Sequence, residues 1–298
     1  MVGTRTYRLG ASLARRVPRR VALAASRGLA LGAAQTSRDR KIIVERNLRR
    51  VYGDSISSMA LRRKVQQTFE SYARYYVDSF RLPDMSRREV DDGFSHDGFE
   101  HIERAHENGQ GCVVALPHLG GWEWAAFWLA LVPRYQVTAV VEPLEPPEIF
   151  EWFLDFRRSL GMNIVPLGPD AGTEVLRAAR EGHVVCLISD RDLTGDGIEV
   201  NFFGETTKLP AGAAMVALRA GVPLLTAAVY FRGDGVHGVA KPLDTTRMGR
   251  FSSDVERLTG EIATSFEGLI RQAPEQWHLM QPNWPSDYDA LGIEPPGR

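Results

Sequence analysis

The run Val113-Val114-Ala115-Leu116-Pro117-His118-Leu119-Gly120-Gly121-Trp122-Glu123 passes from wholly apolar to a proline, a histidine and two glycines, and then opens into a new apolar period. The first four residues read as a buried strand. Pro117 stops it, because proline has no N–H for a sheet ladder. Gly120 and Gly121 supply a tight turn, and the pattern from Trp122 onward is helical. His118 therefore stands at the carboxyl end of a buried strand, where open parallel sheets gather their functional groups.

Outward from this run the same texture repeats. Strands are expected at 112–116, 137–141, 163–166, 183–189 and 222–231, and helices near 98–108, 122–131, 147–160, 171–181, 211–220 and 254–273. Short apolar runs alternating with helical periods predict an α/β fold: a mainly parallel sheet flanked by helices on both faces. Gly233-Asp234-Gly235-Val236-His237-Gly238 matches GxGxxG, but no helix follows it, so it reads as a hairpin turn and not a dinucleotide site. The tail from Pro282 to Pro296 reads as irregular wrapping.

The first third differs. Leu61, Val65, Phe69, Tyr72, Tyr76 and Phe80 recur at helical spacing until Pro83, and Ser37 to Val51 forms another helical period stopped by Gly53. Residues 5–34 mix Arg5, Arg8, Arg15, Arg16, Arg19, Arg20 and Arg27 with Leu, Val and Ala, the composition of an amphipathic helix lying in an anionic lipid surface. A nucleic-acid arm ranks second, because aromatic residues are not interleaved and no nucleic-acid motif follows. The organisation predicted is a basic, helical N-terminal region over 1–85 and an α/β body over 86–298.

Charge supports that division. Net charge over the 298 residues is −1, yet residues 1–50 carry +11 and the remainder −12. A composition of 44% hydrophobic and 24% charged residues excludes a disordered chain or a polytopic membrane protein. Cys112 and Cys186 lie in apolar runs, which excludes a disulfide or zinc framework and fits a reducing compartment. The best N-terminal apolar run, Val21 to Ala34, is interrupted by Ser26 and Arg27, so neither a membrane span nor a secretory signal is expected.

His118 and Glu123 are the candidate chemistry. On one continuous helix, side chains five apart would diverge by about 140°. With Gly120 and Gly121 turning the chain, the Glu123 carboxylate is expected beside the His118 imidazole, inside the first turn of a helix where its charge is favoured. A histidine held by a carboxylate is a general base. No GxSxG accompanies it, so the base would act on a substrate hydroxyl. HxxxxE by itself does not separate a catalytic histidine from a structural one. A metal set from His118, Glu123, Asp190 and Asp192 is disfavoured, because the spacing is not a zincin spacing.

The chain resembles the bacterial lipid acyltransferases that include lipid A lauroyl-type enzymes and phosphatidylinositol mannoside acyltransferases. The resemblance covers about residues 97–284. It runs through Gly98-Phe99-Glu100-His101-Ile102, the HLGGWE turn, Phe156-Arg157-Arg158-Ser159-Leu160-Gly161, Ser189-Asp190-Arg191-Asp192, Phe202-Phe203-Gly204, Leu209-Pro210-Ala211-Gly212 and Pro274-Glu275-Gln276-Trp277. It implies a sheet with an acyl-chain groove. It also implies acyl transfer from acyl-CoA or an acyl carrier protein to a glycolipid hydroxyl, with catalytic roles carried over to His118 and Glu123 and no cofactor. The missing membrane span and the GIEVNFFGE segment look more like the mannoside enzymes.

Other positions are weighed beside these. Arg157 and Arg158 end a helix before Gly161, and the resemblance makes them candidate substrate contacts. Asp190 and Arg191 follow a buried strand, and with Asp192 they read as a salt-bridged loop shaping the site. Glu199 and Asn201 share one face of a strand-like run and are expected to line the site. The partners implied are acyl-CoA, a glycolipid acceptor and an anionic membrane surface, with no nucleic acid, at the cytoplasmic face of the cell membrane. The competing functions are a lipid A-type acyltransferase, a non-catalytic lipid-binding protein on the same fold, and a metal-dependent hydrolase.

Overall fold

The structure, a computed structural model, describes residues 4–143 and 145–294. Four helices come first: α1 (Thr4–Arg16), α2 (Arg19–Thr36), α3 (Arg38–Tyr52) and α4 (Ser58–Arg81). The basic segment expected as one helix is thus two. Pro18 divides them, since its ring and missing N–H break a helix interior. The side chains of Arg5 and Arg8 lie outside what is described. Among the described side chains it is chiefly alanines that face the protein: Ala11, Ala14, Ala22 and Ala30 are buried, which lets α1 and α2 lie close on the long α4.

The body continues with α5 (Arg87–Asp92), β1 (Phe94–Asp97), α6 (Glu100–Glu107), β2 (Cys112–Leu116), α7 (Trp122–Leu131) and β3 (Val137–Val141). Next come α8 (Pro147–Ser159), β4 (Met162–Pro166), α9 (Ala171–Arg180) and β5 (Val184–Ile188). A two-stranded hairpin, β6 (Ile198–Phe202) and β7 (Glu205–Leu209), precedes α10 (Gly212–Ala220), β8 (Leu224–Arg232), β9 (Gly235–Leu243) and α11 (Phe251–Ile270). The tail expected to be irregular contains α12 (Pro285–Leu291) and the fully buried Trp284.

The seven-stranded sheet has the order β1-β9-β8-β2-β5-β3-β4. β2, β3, β4, β5 and β8 are parallel, and β9 turns back antiparallel to β8 through the expected hairpin at Gly233–Gly235. Alternation along β2 divides the core into two layers. Val113 and Ala115 pack with α9, α10 and α11, whereas Cys112, Val114 and Leu116 pack with α6, α7 and α8. Register Leu116↔Ile188 aligns the carboxyl ends of β2 and β5, while β8, paired with β2 at Ala115↔Thr226, runs on beside the turn after β2, where Gly120 bridges Val229.

Candidate active site

His118 follows the end of β2 on a turn whose backbone is tied on both sides. Its carbonyl accepts from the His278 N–H at 2.6 Å, the Gly120 N–H donates to Gln276 O at 2.9 Å, and the Gly121 N–H donates to Val229 O at 2.9 Å. Gly120 has φ +63°, and a Cβ there would stand 1.9 Å from Val229 O, so only glycine fits between turn and strand.

The carboxylate beside His118 is that of Asp190, not Glu123. Nδ1 of His118 lies 2.6 Å from Asp190 Oδ1, and the His118 backbone N–H donates to Oδ2 at 2.9 Å. The indole Nε1 of Trp277 donates to the same Oδ2 at 2.8 Å. Asp190 is wholly buried, a position that opposes its charge, but the adjacent His118 and the three N–H donors hold its carboxyl below the usual range. An ionised Asp190 accepts the Nδ1 proton, which leaves Nε2 as the basic nitrogen. Nε2 has no partner among the described residues, and the side chain is one-third exposed.

Glu123 is engaged elsewhere. It is buried in the first turn of α7, accepts the Tyr75 hydroxyl at 3.0 Å, and receives Nε and a terminal nitrogen of Arg157 at 2.8 and 2.6 Å. Burial opposes the Arg157 charge, yet Glu123 holds its pKa above the ordinary value. Burial and the Glu123 charge together push the Tyr75 hydroxyl upward. The Gly-Gly turn alone allows Glu123 to face His118. α4 and α8, remote in sequence, bring a phenol and a guanidinium that need a buried acceptor, and they take the carboxylate.

These groups border an apolar cavity between α7 and the sheet, enclosing about 900 Å³ of empty space with its mouth included. Leu116, Ala126, Ala139, Cys186 and Ala227 line it, and the alanines leave the room. Its polar lining is Glu123 and Arg157 with His96 and Asp97, and Trp122, which also lines it, meets His118 edge-on at 5.8 Å. Trp122 is therefore the ring that the cavity wall and the imidazole share. Tyr75 stacks on Trp122 at 4.2 Å.

The remaining candidates separate. Arg158 is exposed beside Asp155, and Asp192 is turned into its own loop, accepting the Gly197 N–H at 2.9 Å. Arg191 pairs with Glu142 at 2.7 Å next to the site. Glu199 does not line the site: it faces solvent on β6, opposite Lys208, because the buried face of that hairpin belongs to Val200 and Phe202. Asn201 shares this exposed face and accepts the Gly204 N–H.

His278, which no spacing in the sequence singles out, lies within the site. Its Nε2 is 2.9 Å from Ser71 Oγ, its ring packs on Tyr72 and Trp122, and Nδ1 is buried without a partner among the described residues. Burial, with the neighbouring His118, pushes its pKa down to about 3, so this imidazole is neutral. Its place directly after the Pro274-Glu275-Gln276-Trp277 match was the available signal.

A buried sheet, a strand-end His118 held by an acid, and an adjoining apolar cavity form the arrangement of a lipid-handling transferase. The profile of the bacterial lipid A biosynthesis acyltransferases matches residues 6–286, and the chain belongs to that family. It is 40% identical over 227 residues to a phosphatidylinositol mannoside acyltransferase of Mycobacterium tuberculosis strain CDC 1551 / Oshkosh, covering 74% of this chain and 70% of the relative. It is 36% identical over 249 residues to the protein of the same name in Mycolicibacterium smegmatis, covering 82% and 79%. The chain is an acyltransferase. Among the described residues, no helix is long and apolar enough to cross a membrane.

Proposed function

We propose that the enzyme moves a fatty acyl chain from a thioester, acyl-CoA or acyl carrier protein, to a sugar hydroxyl of a membrane glycolipid. The names of its relatives favour a mannose of a phosphatidylinositol mannoside over lipid A as that sugar. The observation that carries the reading is the His118–Asp190 pair, with Nε2 unpartnered among the described residues and the ring in contact with the Trp122 wall of an apolar cavity.

In this reading the acyl chain lies in the cavity and its thioester stands at the His118 end. Nε2 takes the proton of the acceptor hydroxyl as its oxygen attacks the carbonyl carbon, and Asp190 stabilises the imidazolium. The C–S bond then breaks, and the thiolate leaves with the proton returned by His118. Arg157, fixed by Glu123, offers its remaining N–H donors to the carbonyl oxygen as charge develops. Direct attack suits the thiols, since burial pushes both Cys112 and Cys186 up to about 12 and leaves neither nucleophilic. Exposed Arg16 and Arg20, beside exposed Leu13 and Val21, suit peripheral attachment to an anionic membrane at its cytoplasmic face.

The test incubates purified enzyme with palmitoyl-CoA and phosphatidylinositol mannoside, measuring free thiol and the acylated lipid by mass spectrometry. Acceptor-dependent thiol release that survives a chelator is expected. Lipid binding without turnover would favour the non-catalytic reading, and chelator-sensitive hydrolysis a metal-dependent one.

A further inference from the structure

A second pocket, polar where the first is apolar, lies between α2, α4, the β8–β9 turn and residues 275–276. It adjoins the catalytic turn through three of its own walls. Gln276 accepts the Gly120 N–H through its carbonyl, Phe231 continues the strand that holds Gly121, and Ser71 bonds His278, whose ring packs against the Trp122 that meets His118.

The chemistry of its lining is mixed. Arg27 and Gln67 are exposed and make no hydrogen bond or ion pair with a described residue. Arg74 is spent on Asp78 and on the carbonyls of Gly233 and Gly235. Glu275 is neutralised by Lys64 and Asp234 by Arg19, so each presents a carboxylate with spare lone pairs and its charge balanced. Among the described residues, Glu70 accepts only from Gln66. Carboxylates and an amide with open acceptor sites suit vicinal hydroxyls, and one free guanidinium suits a single phosphate. The polyphosphate of a nucleotide would meet three carboxylates. The pocket also opens beside α2, whose Arg20 and Val21 are exposed, the side on which a membrane lipid would arrive.

We infer that this pocket binds the unreacting part of a phosphoglycolipid acceptor, its polyol and phosphodiester, with Arg27 on the phosphate and Gln67 and Glu70 on hydroxyls, so that the reacting sugar reaches His118. This deepens the proposed function and rests on it for the identity of the acceptor.

Binding is measured apart from catalysis, by calorimetry on the full chain with deacylated phosphatidylinositol mannoside as a soluble probe. Arg27→Gln combined with Gln67→Ala removes two exposed side chains, and an unchanged Tm verifies the fold. The expected result is a Kd raised about tenfold or more, with KM for the intact glycolipid raised alongside it and KM for a simple alkyl mannoside moved less than about twofold. Probe binding equal in both proteins, no binding to wild type, or displacement of the probe by coenzyme A would each overturn the inference. Weakened probe binding in the variant of an enzyme that transfers no acyl group would leave the pocket standing and remove the proposed reaction.

Discussion

At the scale of single residues, the site uses two carboxylates in different ways. Asp190 carries the imidazole, and Glu123 neutralises Arg157 inside the cavity wall. Glu123→Gln is therefore expected to act through structure. It leaves a buried guanidinium without its counter-charge, a change that costs about 3–5 kcal/mol when a buried pair is broken. A Tm lower by several degrees, with turnover per folded molecule reduced less than about tenfold, is the expected pair of readings; a hundredfold loss at unchanged Tm would assign Glu123 to the chemistry. His278 gives a pH prediction. Its pKa lies near 3 in the folded protein against 6.5 for the free group. Between those values the unfolded chain binds a proton that the folded chain refuses. Its contribution is thus full above about pH 6.5 and falls with acid by up to about 1.4 kcal/mol per pH unit. Asp190, held low, adds a loss in the same direction only below about pH 4. Tm measured at pH 7 and pH 5 should fall for the wild type and fall less for His278→Phe. Equal slopes would show that His278 is not the group titrating.

At the scale of elements, the strands and helices around His118 were legible because each is bounded by a local signal: Pro117 after β2, the Gly-Gly turn before α7, Pro147 at the start of α8. β2, β3 and α7 take the expected bounds. The Asp190 partnership was not legible. It depends on β5 lying directly beside β2, and strand order across a parallel sheet leaves no local trace in sequence. Tyr75 and Ser71 arrive from α4, which read only as a helix with one buried aromatic face. The arginines of α1 and α2 likewise divide only in three dimensions. Arg19 is bonded to buried Asp78 at 2.8 Å, and Arg15 reaches the Phe80 carbonyl, whereas Arg16 and Arg20 face solvent. Arg16→Gln with Arg20→Gln should weaken binding to anionic vesicles by about tenfold to a hundredfold at low salt, at about 1 kcal/mol each, with no change in Tm. Arg19→Gln should instead lower Tm. Unaltered vesicle binding by the double variant would remove α1 and α2 from the membrane contact.

At the scale of the whole molecule, the sheet brings the ends of β2 and β5 together beside the middle of β8, an apolar cavity lies under α7, and the N-terminal helices close a polar pocket beside the same turn. In the proposed reading, donor and acceptor have separate places near one imidazole. Holding both together converts the transfer to an intramolecular encounter without a covalent enzyme intermediate. Intact-protein mass spectrometry after incubation with palmitoyl-CoA alone should find no acyl adduct that later acceptor can discharge; a chaseable adduct would mean a ping-pong route. The claim on which the rest depends is that His118 is the base and Asp190 its carboxylate. The most direct measurement is kcat for acyl transfer by Asp190→Asn, purified beside wild type and His118→Ala. The account predicts a fall of about 10²–10⁴-fold for both variants, with KM for the donor within a few-fold of wild type. An Asp190→Asn enzyme that turns over within tenfold of wild type would contradict it.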